Sequence, residues 1–178
     1  MRPTTRMEWI TEPASLSDDR LADLVGCWTR VSNAGGAVGF PFLPVDESTV
    51  RAAAEDMRSA LGAEHRLLVM LDGEDLIGWL ILQLNTSPLT AHWAVVARVQ
   101  TDLRYRGLGY ARELLAETAR TARSLGLEQL HIAVRGGQGI EGFYLNLGWQ
   151  IVGRWPAALR LGPEDDRDDI MMMLTLAA

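Results

Sequence analysis

Apolar residues recur along the first third of the chain at helical spacing. Leu21, Leu24, Val25, Trp28 and Val31 share one face, which predicts a helix over Asp18 to Val31. Ser17 or Asp18 is placed to cap its free amides. Val50, Ala53, Ala54, Met57 and Leu61 predict a second helix over Ser48 to Leu61, with Gly62 beyond its end. Between the two, Asn33 to Pro44 reads NAGGAVGFPFLP, and its glycines and prolines forbid a regular element. Yet Ala37, Val38, Phe40, Phe42 and Leu43 are apolar, so this loop either caps the core or walls a pocket.

The texture then changes to continuous apolar runs. Arg66 to Leu71 and Leu76 to Leu84 flank Asp72-Gly73-Glu74-Asp75 and predict a hairpin. Trp93 to Gln100 is a further strand, rich in β-branched residues. Leu108, Ala111, Leu115, Thr118, Ala122 and Leu125 trace the inner face of a helix that Gly126 ends. Leu130 to Val134 is a strand, Gly136, Gly137 and Gly139 mark a loop, and Ile140 to Leu147 is a short helix ended by Gly148. Gln150 to Trp155 and Ile170 to Leu176 are the last strands, with Gly162 to Asp169 expected as an acidic turn. Met7 to Ile10 forms a first strand. The order β, α, α, β, β, β, α, β, α, β, β contains one clear βαβ unit, which makes the fourth and fifth strands parallel. The rest is hairpins. The expectation is an α/β fold, a mixed, mostly antiparallel central sheet with helices on its faces, without internal repeats.

Length and composition narrow this further. The 178 residues suit one domain, 1–178. No apolar run is long enough to span a bilayer, and the stretch from Met1 to Ile10 lacks the apolar segment of a signal peptide. Cys27 stands alone, so neither an internal disulfide nor a cysteine-rich metal site is available, and a cytoplasmic, metal-free protein is expected. The net charge of −6 argues against nucleic acid as a partner. All 17 basic residues are Arg, which removes lysine as a general base or Schiff base. The tryptophans are expected mostly in the core.

Within this acidic chain, Arg98, Arg104, Arg106 and Arg112 fall in one short stretch. There a buried strand ends, Arg104-Tyr105-Arg106-Gly107-Leu108-Gly109 comes next, and a helix begins. Glycines let the backbone approach a ligand, and a helix start presents unpaired amides and the positive end of its dipole. Together these make a phosphate site. A Walker loop would need Gly-Lys-Ser/Thr, and a dinucleotide fold would place its glycines after the first strand of a parallel sheet. Neither fits.

The segment resembles the acetyl-CoA motif of the GNAT N-acetyltransferases, Gln/Arg-x-x-Gly-x-Gly/Ala. A second family feature stands at Phe143-Tyr144-Leu145-Asn146-Leu147-Gly148-Trp149, a tyrosine-bearing helix before Leu-Gly and an aromatic. The resemblance covers essentially the whole chain. It implies that the fourth and fifth strands splay apart, with helices on both sheet faces. The pantetheine arm would lie in the gap against backbone groups of Ala97, Arg98 and Val99. The segment Arg104, Tyr105, Arg106, Gly107, Leu108, Gly109 and Tyr110 would hold the pyrophosphate, and the amide of Val99 would reach the thioester oxygen. Within the family the chain is most similar to the tabtoxin-resistance group, through Gly35-Gly36-Ala37-Val38-Gly39-Phe40 and Glu141-Gly142-Phe143-Tyr144.

The resemblance implies an acetyl-CoA-dependent N-acetyltransferase acting on the primary amine of a small molecule such as an antibiotic or toxin. Acetylation of a protein N-terminus or lysine, and non-catalytic acyl-CoA binding, are the alternatives. Tyr144 is the expected general acid, protonated at neutral pH. Val38, Phe40 and Glu141 are the expected acceptor-binding residues. The base is open among Glu141, His131 and His92, a base acting through ordered water, and an amine that arrives partly deprotonated. The carboxylates that relatives carry are absent, with Trp93 or a neighbour at one place and Ala133 at the other. No metal, membrane or nucleic acid is expected, and a homodimer is left open.

Overall fold

The structure, a computed structural model, describes residues 5–176. The ends of the expected 1–178 domain, Arg2 among them, lie outside the described residues. The elements are β1 (Thr5–Ile10), α1 (Asp18–Asn33), α2 (Glu47–Ser59), β2 (His65–Asp72), β3 (Asp75–Leu84), β4 (Trp93–Thr101), α3 (Tyr110–Ser124), β5 (Gln129–Arg135), α4 (Ile140–Leu145), β6 (Gln150–Gly162) and β7 (Asp165–Thr175). Their order is the expected one. They form a seven-stranded sheet in the order β1-β2-β3-β4-β5-β7-β6. Only β4 and β5 pair in parallel; the other neighbours are antiparallel. The α/β, mixed-sheet expectation is therefore met, splayed parallel pair included.

The two faces of the sheet bury separate cores. α1 and α2 cover one with Leu21, Leu24, Val25, Trp28, Val50 and Ala54, against Leu67, Val69, Trp79 and Ile81. Ser17 caps α1, its hydroxyl accepting from the Arg20 amide. α3 and α4 cover the other face with Tyr110, Leu114, Leu115, Ala122 and Tyr144, against Leu68, Leu80, Val96 and Ile132. β2 and β3 are covered on both faces, which is why they read as continuous apolar runs rather than alternating ones.

Two expectations need correction. The inner face of α3 is not the one traced through Leu108 and Leu125, which are 53% and 40% exposed. Leu108 lies before the helix and Leu125 at its cap, while Tyr110, Leu114 and Ala119 face inward beside Leu115, Thr118 and Ala122. The acidic stretch Gly162 to Asp169 is not a turn either. β6 runs on to Gly162 and β7 begins at Asp165, so only Pro163 and Glu164 form the turn and all four aspartates lie in β7. Cross-strand arginines explain this: Arg160 donates to both oxygens of Asp166 at 2.8 Å and Arg154 to Asp168 at 2.9 Å. Opposite charges on facing residues (Arg160 and Asp166) and diagonal ones (Arg154 and Asp168) let an acidic sequence extend as a strand. Of the tryptophans, Trp28, Trp79 and Trp149 are in the core, whereas Trp155 on the edge strand β6 is 64% exposed.

Candidate functional site

β4 and β5 pair only where Trp93, Ala94 and Val95 face Gln129, Leu130 and His131. Beyond that they part, and the cause lies on the other side of β4. Ile81 of β3 faces Ala97 and Trp79 faces Gln100, so Arg98 and Val99 share the place opposite Leu80. Arg98 takes a φ of +56°. Such a bulge leaves an unpaired residue and bends the strand. The wedge opens into a cavity of about 990 Å³ bounded by β4 from Val95 to Thr101, β5 from Ile132 to Val134, the start of α3, the loop after α1, and α4.

At one end stands the turn before α3. Asp102 has no exposed side-chain surface and anchors this turn. Its amide donates to Ile77 O at 2.7 Å, and its carboxylate accepts from the Arg104 amide and Nε, each at 3.1 Å, and from Arg30. Burial alone would raise its pKa; the hydrogen bonds from Arg104 and Arg30 outweigh that and hold it at about 2. Gly107 and Gly109 then adopt φ of +77° and +90°, a region L side chains rarely enter. A Cβ at either would meet nothing within 4 Å, so the backbone here lies open. The first α-helical bond runs from Glu113 N to Gly109 O, which leaves the amides of Tyr110, Ala111 and Arg112 as the free donors of the helix start. Arg106 lines the cavity beside them. These are the features an anionic phosphate needs.

At the other end is the loop after α1. Trp28 Nε1 donates to Val38 O at 2.8 Å, and Arg98 Nη1 donates to the same oxygen at 3.2 Å. Asn33 closes the loop through paired hydrogen bonds with Val45, at 3.0 and 2.8 Å. Gln138, in the loop between β5 and α4, donates to Gly35 O at 2.9 Å and bridges the two loops that bound the cavity. The segment from Gly35 to Gly39 thus forms a cavity wall, while Phe40 packs behind it on Trp28 at a ring distance of 5.2 Å. The loop both caps the core and walls the cavity.

Tyr144 reaches the cavity from α4, 3% exposed and set edge-on against Phe143 and Trp149. Its hydroxyl makes no hydrogen bond with the described residues, and burial pushes its pKa up, so it stays protonated. Glu141, His131 and His92 are not among the lining residues. His131 stacks on Trp93 at 4.2 Å and bonds Gln129 at 3.0 Å, at the paired end of β4 and β5, where burial and His92 lower its pKa. His92 is exposed at the start of β4. Glu141 is half-buried, with one carboxylate oxygen unpartnered.

The structure therefore brings Ala97, Arg98, Val99, Arg106, Gly107, Val38 and Tyr144 around one cavity. Arg104 is drawn away by Asp102 and stacks over Tyr105 at 5.3 Å, while Tyr110 packs into the core. Leu108, Gly109, Phe40 and Glu141 do not line the cavity. Sequence reasoning missed Asp102, Gln100, Gln138 and the side chain of Arg98. A signal existed for Arg98 and Gln100: they are the polar interruptions in an otherwise apolar strand.

Among known proteins, the sequence model described as "Acetyltransferase (GNAT) family" matches residues 21–149. A provisionally assigned phosphinothricin N-acetyltransferase superposes with a TM-score of 0.79 at 17% identity, covering 98% of this chain and 100% of that one. A ribosomal-protein-alanine N-acetyltransferase from Brucella melitensis gives 0.74 at 16% identity, covering 96% and 99%. A provisionally assigned acetyltransferase from Salmonella typhimurium, solved with its cofactor acetyl-CoA, gives 0.71 at 15% identity, covering 97% and 94%. A search of curated protein sequences finds no match.

The Asp102 anchor has a pH signature. A carboxyl held near 2 when folded contributes stability that is fully present above its unfolded value and is lost as pH falls through the folded one. Asp102→Asn should cost about 2 kcal/mol at neutral pH, and the gap to the parent should shrink below pH ~4 and nearly close towards pH ~2. Denaturant melts at a series of pH values check this; a gap independent of pH would show that the carboxylate charge is not what holds the turn.

Proposed function

The chain belongs to the acetyltransferase (GNAT) family, whose acyl donor is acetyl-CoA, and from that premise we propose that its acceptor is the primary amine of a small molecule. The observation that carries this is the single cavity joining the helix start of α3, the bulged backbone of β4, the Tyr144 ring and the tethered wall from Gly35 to Gly39. Two bridged loops around about 990 Å³ suit a compact acceptor. The loop sequence Gly35 to Phe40, with Glu141 to Tyr144, further supports a place near the tabtoxin-resistance group.

The residues present fit the donor. The open backbone at Gly107 and Gly109, the free amides of Tyr110 to Arg112 and the Arg106 guanidinium would hold its pyrophosphate. Acetyl-CoA supplies the activated acetyl thioester. The polar backbone of Ala97 to Val99, released from β5, would orient the arm, with the Val99 amide polarising the thioester oxygen. Tyr144 would protonate the departing thiolate. Its raised pKa does not disqualify it, because the same dry surroundings raise the thiolate's proton affinity too.

No carboxylate or histidine lines the cavity among the described residues; its charged groups are Arg98 and Arg106. Nothing there stabilises an ammonium ion, and the cations oppose one. The amine therefore enters the reaction neutral, without an enzyme base in contact with it.

Two outcomes are expected. Acetyl-CoA at a hundred times its dissociation constant should raise stability by about 2.7 kcal/mol in a thermal melt. Gly107→Val should abolish that shift by placing a side chain in the phosphate space. Tyr144→Phe keeps the ring and removes the proton, so kcat measured by thiol release should fall by about 10² to 10⁴ while acetyl-CoA affinity is unchanged. Turnover equal to the parent's would return Tyr144 to a packing role.

A further inference from the structure

The segment that would seat the donor's pyrophosphate is fastened only at its ends. From Gly107 to Gly109 no backbone amide finds a hydrogen-bond partner among the described residues. A Cβ at Gly107 or Gly109 would meet nothing within 4 Å, and Leu108 between them is 53% exposed. A stretch with so few contacts does not fix its own position. At its far end it runs into α3. At its near end it continues from the short turn that Asp102 begins.

Three parts of the fold converge on Asp102. Its amide donates to Ile77 O of β3 at 2.7 Å, and its carbonyl accepts from the Tyr105 amide at 2.9 Å. Its carboxylate accepts from the Arg104 amide and Nε, each at 3.1 Å, and from Arg104 Nη2 at 3.5 Å. The last contact comes from 72 residues earlier, where Arg30 in the final turn of α1 donates Nη2 to Asp102 Oδ2. The two arginine side chains are 49% and 59% exposed, so burial does not force them inward; they reach in to a carboxylate with no exposed surface. An ion pair at a surface holds little, but a buried carboxylate is strongly disfavoured without its cations, which makes this knot firm. Neither Arg30 nor Asp102 lines the cavity.

We propose that Asp102 and Arg30 are positioning residues for the acyl donor. Arg30 braces Asp102 from α1, Asp102 fixes the turn, and the turn sets where the open amides from Gly107 onward meet the pyrophosphate. Arg104, drawn to the same carboxylate, acts through Asp102 in the same way. A turn that is already ordered presents its donors ready-made, whereas a loose one must be ordered by the ligand, which weakens binding. The proposal rests on the reading that the pyrophosphate sits at this turn. Charge gives it a distinguishing sign. Asp102 is an anion close to the phosphate end, so if it acted only through its field, neutralising it would strengthen the binding of another anion. If it acts by holding the turn, neutralising it weakens that binding.

Calorimetry with CoA, dephospho-CoA and pantetheine tests this on the folded protein, below each variant's melting temperature. Asp102→Asn should lower the affinity for CoA about tenfold, and equally that for dephospho-CoA, which keeps the pyrophosphate. Pantetheine has no phosphate and should bind as it does to the parent. Arg30→Met should reproduce the pattern, with Arg30→Lys between, and the loss relative to the parent should persist in high salt, where a long-range field is screened. Should Asp102→Asn not fold, Arg30→Met decides, because Arg104 still partners the carboxylate there. A CoA affinity unchanged or raised in Asp102→Asn, or a loss in Arg30→Met that vanishes in high salt, overturns the proposal. So does a loss shared equally by pantetheine, which would mark general damage to the fold. CoA binding to Gly107→Val as tight as to the parent would show instead that the pyrophosphate lies elsewhere, and the donor seat would fail with this proposal.

Discussion

At Arg98 two residues of β4 occupy the space of one opposite β3, and the strand turns away from β5 after Val95. A flat continuation would have paired the backbone of Ala97 to Val99 with β5 and closed the cavity with main-chain hydrogen bonds. The bulge instead leaves those polar groups facing a gap and brings the Arg98 side chain round to the α1 face, against Trp28 and Val38. Cavity, exposed backbone and guanidinium are three consequences of one extra residue.

The bulge needs firm ends to act as a wedge. Upstream, the pairing of Trp93 to Val95 with Gln129 to His131 holds β4 to β5, reinforced by the stack of Trp93 on His131. Downstream, buried Asp102 gathers Arg30 from α1, Arg104 from the turn and, through its amide, Ile77 from β3. A buried carboxylate is tolerable only with such partners. Arg104 is thereby committed to structure, whereas Arg106 lines the cavity.

The chemistry is set by the groups the cavity omits. Among the described residues no carboxylate or histidine lines the cavity, and Tyr144, almost fully buried beside it, stays protonated. Among the described residues, both amide atoms of buried Gln100 lack a hydrogen-bond partner and Arg98 has no carboxylate partner.

By itself the sequence determined the order and type of the elements, the parallel strand pair and the glycine-flanked helix start, because periodicity, turn residues and helix capping act over a few neighbours. It also carried the family motifs, and of the residues they single out Tyr144, Arg106 and Gly107 line the cavity. It misjudged the inner face of α3 and the acidic β6–β7 hairpin, where pairing partners lie across strands or in a distant layer. Tertiary structure alone decided that Arg104 serves Asp102, that Phe40 backs the wall rather than forming it, that His131 stacks away from the cavity, and that Arg98 packs on Trp28 at the cavity wall. Each of those outcomes depends on a contact between residues far apart in the chain, and a bulge in one strand redirects side chains in a way that no alternation pattern encodes.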